Sequence, residues 1–472
     1  MKKLLKFLKW SVIIFAGIPI VLYLAWLSGN LLNDELDPEL ATLLAHRPAE
    51  INEQANAYFD IIGMNASANM EPHAWGVAWL AKARTKDHML LTEFTPTPAK
   101  TENKPANSDK LDLPCAKKDI KFNCIELVSR NKPAVEATIL AEAEQLNRFD
   151  AILDKAYQQP YRELSPNSEL PSLLPETKVV RLAVTRIALE IAQGHDEVAL
   201  ARWGKETTFL LNQARNSYGL IDKMVAIANL NRYQNILADY IYSRPEGARI
   251  DANKIMAMLL PFNNEAVTLQ PAFRNNSTLF ARYILSLKQI QGYGLISNSI
   301  DTPGAWLLDK LIRPFFDPNA TANGITRDEL EWSYITLLEG NDLLSAIKNK
   351  NSKLSLPFLL QIPALVFSYH NPIGKILAAA YDPSGGAISS YIWKSHSIIA
   401  NNKLLVFSID LLSRTAAPSK QIQQEIKAHK AELQNPYTAE LPVWNADTRS
   451  LSYPIPEEFK EVKNPVGLTI KL

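Results

Sequence analysis

The sequence predicts a mainly α-helical fold: an irregular helical bundle or array behind one N-terminal transmembrane helix, closed by a small C-terminal β-hairpin. Three observations carry that prediction. Apolar residues recur at three- and four-residue steps through most of the chain, the period of an amphipathic helix. Prolines number 29 against 17 glycines, a balance that fits helices joined by stiff connections better than tight hairpins. Residues 10–27 (WSVIIFAGIPIVLYLAWL) contain no charge.

At ~1.5 Å per residue, that uncharged run spans roughly 27 Å, close to the hydrocarbon core of a bilayer. Lys2, Lys3, Lys6 and Lys9 precede it, and Asp34, Glu35, Asp37 and Glu39 follow it. A lysine bias of this sense predicts a single-pass inner-membrane protein with residues 1–9 in the cytoplasm and the bulk of the chain in the periplasm. Trp10, Tyr23 and Trp26 fit interface anchors, and Pro19 is tolerated within a transmembrane helix. The competing reading is a cleaved signal peptide. Against it stand the length of the run and the lack of an A-x-A-like site, since Ala25-Trp26-Leu27 ends in a large residue.

After the anchor come membrane-proximal helices (34–94). In residues 38–62 the later apolar positions step at helical spacing, and residues 71–93 form a second helix with Pro72 in its first turn. Residues 95–114 (TPTPAKTENKPANSDKLDLP) are nearly devoid of apolar side chains and read as a mobile loop within the 95–125 segment. That segment ends in Cys115 and Cys124, the only cysteines. In an oxidising compartment so close a pair forms a structural disulfide; two free thiols are the alternative.

The helical domain spans 126–434. Its clearest stretch is 176–241, which reads as three helices of similar length, broken at Gly194 and at Tyr218-Gly219. Thr326-Arg327-Asp328-Glu329 matches a capping box and predicts a helix running to Gly340. Residues 389–414 and 418–433 supply the last helices. In the aromatic, Pro-rich tail (435–472), Val443-Trp444 and Leu451-Ser452-Tyr453 are placed to pair across 445–450. No fixed-period repeat is visible.

Composition and motifs remove several functions. The chain has 472 residues, 47% hydrophobic and 21% charged, enough for two or three cores. Its net charge is +1; without the four N-terminal lysines, 46 basic residues face 49 acidic ones, so no basic excess invites nucleic acid. Neither G-x-x-x-x-G-K-[ST] nor G-x-G-x-x-G occurs, so no nucleotide is expected, and no cofactor. H-E-x-x-H, G-x-S-x-G and zinc-finger spacings are absent too, so no metal is expected, and Pro383-Ser384-Gly385-Gly386 reads as a turn. No Glu-Ser dipeptide is present for a helical lytic transglycosylase. Asp328, Glu331 and Glu339 beside Trp332 and Tyr334 suit either a sugar groove or a solvated helix face.

His46, His73, His88, His195, His370, His396 and His429 are scattered, and nothing favours one Ser–His–Asp set over another. His73, with Glu71 and Trp75 beside it, is the most informative polar candidate. Asn65-Ala66-Ser67, Asn275-Asn276-Ser277 and Asn319-Ala320-Thr321 are loop composition rather than glycan sites.

Asn435-Pro436-Tyr437-Thr438, with Pro442 and Trp444, resembles a C-terminal pattern of uncharacterised bacterial envelope proteins. The segment 56–76 (NAYFDIIGMNA…EPHAWG) is similar to the same group. A glycine is more usual there where Ala439 stands. The resemblance implies membrane-anchored export and no activity. The expected function is therefore a non-enzymatic binding or envelope-complex component with an envelope protein partner, an immunity-type protein being one version. A periplasmic hydrolase of peptidoglycan or lipid is the alternative.

Overall fold

The computed structural model describes residues 17–18, 20–30, 32–46, 52–64, 66–67, 69–89, 113, 115, 124–159, 171–243, 251–287, 310–311, 313–352, 370–381, 385–414, 419–456 and 469–471. It is mainly helical, as the apolar periodicity requires, with one small antiparallel sheet.

The transmembrane helix expected over residues 10–27 is overturned. Among the described residues, no helix is long and apolar enough to cross a membrane. Residues 1–16 and Pro19, and with them the Trp10 anchor, lie outside the described residues. Tyr23 and Trp26 meet protein where lipid headgroups were expected. The Tyr23 hydroxyl donates to the Leu311 carbonyl at 3.1 Å, and the Trp26 ring stacks on Phe315 with centroids 4.2 Å apart. The inner-membrane, periplasm-facing placement falls with the anchor on which it rested.

Two helices, α1 (Pro38–Ala45) and α2 (Ala57–Gly63), replace the single one expected over 38–62. Each has its own start. Asp37 accepts from the Glu39 N–H ahead of Pro38, and Asn56 accepts from the Tyr58 N–H, so orphan donors at both N-termini are satisfied. α3 (Pro72–Met89) lies against α2. The two backbones touch at glycines: a Cβ on Gly63 would stand 1.8 Å from the Pro72 carbonyl oxygen, and one on Gly76 2.0 Å from that of Phe59. Any larger residue forces the pair apart.

Three short helices follow: α4 (Cys124–Arg130), α5 (Lys132–Ala141) and α6 (Ala143–Ile152). The Cys115–Cys124 disulfide is formed, with Cα atoms 5.0 Å apart, and fastens Cys115 to the start of α4. The rest of the expected mobile loop lies outside the described residues, Leu113 apart. Replacing both cysteines with serine is expected to cost about 2.5 kcal/mol, the chain-entropy value for so short a loop, read as a lower urea midpoint.

The expected three-helix stretch is present as α7 (Leu174–Ala192), α8 (Asp196–Asn216) and α9 (Leu220–Ser243). Gly194 between the first two takes φ +80°, the left-handed conformation that suits glycine at a helix end. These helices form the heart of the main core, in which Trp203, Tyr233, Phe209 and Leu182 are buried. α10 (Ala252–Leu259) and α11 (Asn264–Val267) lead to α12 (Gln270–Leu287).

α13 (Pro318–Ile335) packs along α12. It does not begin at the capping box read at Thr326. Asp317 starts it nine residues earlier, accepting from the Asn319 and Ala320 N–H groups with Pro318 in the first turn. Thr326 is a buried mid-helix residue whose hydroxyl donates to the Ala322 carbonyl. The helix ends at Ile335, and Gly340, at φ +56°, opens α14 (Gly340–Ser352) instead of closing α13. After α15 (Pro372–Tyr381) comes the long α16 (Gly385–Arg414), then α17 (Ser419–Ala428) and α18 (Lys430–Leu433). The chain forms a second, smaller core where Leu40 of α1 meets Ala281, Ile284, Phe316, Ala322 and Ile325.

The tail pairs as expected and gains a strand. β1 (Val443–Asn445) and β2 (Ser450–Ser452) align Trp444 with Leu451, and β3 (Thr469–Lys471) adds to β2 with Ile470 opposite Leu451. Ala439 holds φ +60°, which explains why glycine suits that position.

Candidate functional site

The side chains expected to matter do not converge on one centre; among the described residues, four polar groupings bear on function.

His73 and Glu71 open α3. Glu71 accepts from the His73 N–H at 3.1 Å and the Ala74 N–H at 2.6 Å, so it is a helix cap. Partial burial opposes its ionisation, but those two donors hold its carboxyl below the ordinary value. His73 Nδ1 lies 2.9 Å from Asp60 Oδ2, and Lys155 Nζ reaches both Asp60 oxygens at 2.9 and 3.0 Å. Asp60 is thus a buried carboxylate shared by a histidine and a lysine. Among the described residues, no serine lies within hydrogen-bond reach of His73; Ser67 donates instead to Asn69. The trio ties α3 to α2 and to the segment after α6. The Asp60–Lys155 half was missed in the sequence because its partners lie 95 positions apart.

The second grouping centres on Arg186 of α7. Its guanidinium grips Asp150 of α6 with both terminal nitrogens, at 2.8 and 2.7 Å, and also reaches Glu206 of α8 at 2.9 Å. Tyr233 donates its hydroxyl to the other Glu206 oxygen at 2.5 Å. Burial pushes Glu206 up to about 7 against the pull of Tyr233 and Arg186. Over this network lies an open groove of 280 Å³ between α5, α6 and α7, lined by Ile139, Leu140, Ala143, Leu146 and Leu189 together with Glu136, Asn147 and Arg186 itself. Leu140 is 78% exposed.

The third is a polar knot inside the three-helix stretch. One oxygen of Glu176 accepts from Gln213 at 2.9 Å and Asn229 at 3.2 Å. Burial, with nearby Asp222 adding to it, pushes Glu176 up to about 7. Lys223 is fully buried in the same helices, and burial pushes its amine down to about 7, with Arg215 helping.

The fourth grouping brings Asp34, Asp317 and His370 together, three residues that nothing in the sequence connects. His370 Nε2 lies 3.3 Å from Asp34 Oδ1 and 3.7 Å from Asp317 Oδ2.

The other expected candidates disperse. Lys350 of α14 pairs with both Asp328 and Glu331, Trp332 is buried, and Tyr334 points outward to Glu39, so these residues form a braced helix face and no sugar groove. His195 sits at the start of α8, and His429 hydrogen-bonds the Glu425 carbonyl. His396 is buried, which pushes it down to about 4, while neighbouring Ser395 donates to the Val267 carbonyl. Ser384 and the His88 side chain lie outside the described residues.

No family model matches the chain, and neither a curated protein nor a solved structure matches it.

Proposed function

We propose that this chain is a helical binding protein whose α5–α6–α7 groove receives an amphipathic helix of a protein partner. The exposure of Leu140 in a mostly aliphatic groove is the observation that carries this reading. A mostly aliphatic trough between helices suits apolar side chains spaced at i, i+3 and i+4 on a partner helix. Arg186 lines the groove beside these carbons with its terminal nitrogens already bound to Asp150 and Glu206, so a partner helix would meet mostly aliphatic carbon beside a guanidinium that is largely paired.

Leu140→Asp tests it. At so exposed a position the change is expected to alter stability by no more than about 0.5 kcal/mol. It places a charge where the partner's apolar face would lie. Affinity capture with the full chain is expected to recover a partner that the Leu140→Asp chain retains at least tenfold more weakly, a loss of about 1.4 kcal/mol. Equal recovery by both chains, or hydrolysis of envelope material by the purified protein with no partner recovered, would overturn the proposal.

A further inference from the structure

We infer that Asp34, Asp317 and His370 form a binding site for one divalent transition-metal ion of the zinc class, which clasps residues 32–37 to the start of α13.

The distances are the first argument. An N–H···O bond between imidazole and carboxylate closes to about 2.7–3.2 Å. Here the Nε2 to oxygen separations are 3.3 and 3.7 Å. A tetrahedral ion with ligands at about 2.0–2.2 Å sets neighbouring ligand atoms roughly 3.3–3.6 Å apart. The three ligand atoms all lie within 4.8 Å of one another, so one ion reaches all three with small adjustments.

The second argument is the orientation of the imidazole. Nδ1 of His370 lies 3.0 Å from the Gly29 carbonyl oxygen, which only accepts. Nδ1 therefore carries the proton, and Nε2 is the nitrogen turned toward the two carboxylates. A backbone carbonyl fixing the far nitrogen is the usual support of a metal-binding histidine.

The carboxylates are held just as firmly. Asp317 accepts from the Asp34 N–H through Oδ2 at 2.6 Å and caps α13 through Oδ1, while its own N–H donates to Asn371 at 3.0 Å. Asn319 donates to the Asp34 carbonyl at 2.7 Å. Asn371, beside His370, takes φ +47° and donates its N–H to Asn30 at 2.7 Å. Leu36 and Leu40 then carry the same segment into the smaller core. The Asp34 side chain is 52% exposed, which leaves room for water to complete the coordination.

An imidazole nitrogen with two carboxylate oxygens suits zinc-class ions better than Mg²⁺ or Ca²⁺, which prefer oxygen alone. The site is distinct from the groove, so each proposal stands or falls without the other.

The test uses the full purified chain and ZnCl2. Zn²⁺ is expected to bind at one equivalent and to raise the unfolding temperature, as any ligand of the native state does; Mg²⁺ at equal concentration is expected to do neither. His370→Gln and Asp34→Asn should each weaken Zn²⁺ binding by about tenfold or more. Asp34→Asn leaves the backbone bonds of the clasp in place, and an unchanged circular dichroism spectrum separates loss of the metal from loss of the fold. Co²⁺ should report a tetrahedral site by its visible absorption in the wild-type chain only. The inference is overturned if Zn²⁺ leaves the wild-type unfolding temperature unchanged, or if it raises that of the wild type and both variants equally. In either outcome the trio is a clasp of polar side chains that holds no ion.

Discussion

Replacing Arg186 with alanine is expected to destabilise the fold by about 3–5 kcal/mol, because it strips the cation from a carboxylate with no route to water. Glu206 is 0% exposed and keeps the Tyr233 hydroxyl and the weaker influence of the Arg202 charge after the change. Asp150 keeps a longer contact to Arg202 at 3.6 Å and is itself partly exposed, so the penalty falls mainly on Glu206. The side chain also loses its stem as the filler between α6, α7 and α8. A double change, Arg186→Met with Glu206→Leu, removes both charges and restores apolar volume. It is expected to recover more than half of the loss, because an ion pair in a core is costly chiefly when only one half remains. Urea midpoints at constant m-value measure both variants. An Arg186→Ala loss below 1 kcal/mol would show that water reaches Glu206.

Such networks explain which parts of this chain are legible as sequence. α7, α8 and α9 are legible because each buries a continuous apolar face and because Gly194 marks a break that its positive φ requires. The hairpin is legible from Trp444 and Leu451, but β3 is not, since Thr469–Lys471 is too short to carry an alternation of its own. The capping box at Thr326 misleads for a physical reason. Four residues can display the right side chains anywhere, whereas a helix starts where its first N–H groups find an acceptor, and here that acceptor is Asp317. The uncharged run at residues 10–27 misleads in the same way: hydropathy does not reveal that the rings of Tyr23 and Trp26 meet Phe315.

The polar groupings are the least legible of all. His73 stands out beside Glu71, but its working partner is Asp60, and the lysine on that carboxylate arrives from a distant segment. Asp34 and Asp317 meet across 283 positions, a juxtaposition created only when the segment after Trp26 lies down on α13. Glu176 and Lys223 look like ordinary solvated helix residues, and only the packing of α7 against α8 and α9 removes them from water.

Glu176 yields the second large effect. It stands in the first turn of α7, where the helix dipole favours a negative charge by about 0.3–1 kcal/mol. Complete burial outweighs that and raises its pKa from 4.5 to about 7. An acid whose pKa is higher folded than unfolded binds more protons in the native state between the two values. Its stabilising contribution is therefore complete below about pH 4.5 and is lost as pH rises to about 7, on the order of 3 kcal/mol in all. Glu206 acts in the same sense, whereas His396, pushed down to about 4, acts in the opposite one over much of that window. Lys223, pushed down to about 7, adds stability only as pH rises beyond that value. The total curve mixes these contributions, so the difference between wild type and Glu176→Gln isolates one of them. The amide still accepts from Gln213 and Asn229 but cannot ionise. Relative to wild type, the variant is expected to gain stability from about pH 5 to about pH 7 and to level off above that, measured as urea midpoints at each pH. Parallel curves for the two proteins would mean that Glu176 reaches solvent, and the polar knot would then be a water-filled cavity instead of a dry joint between helices.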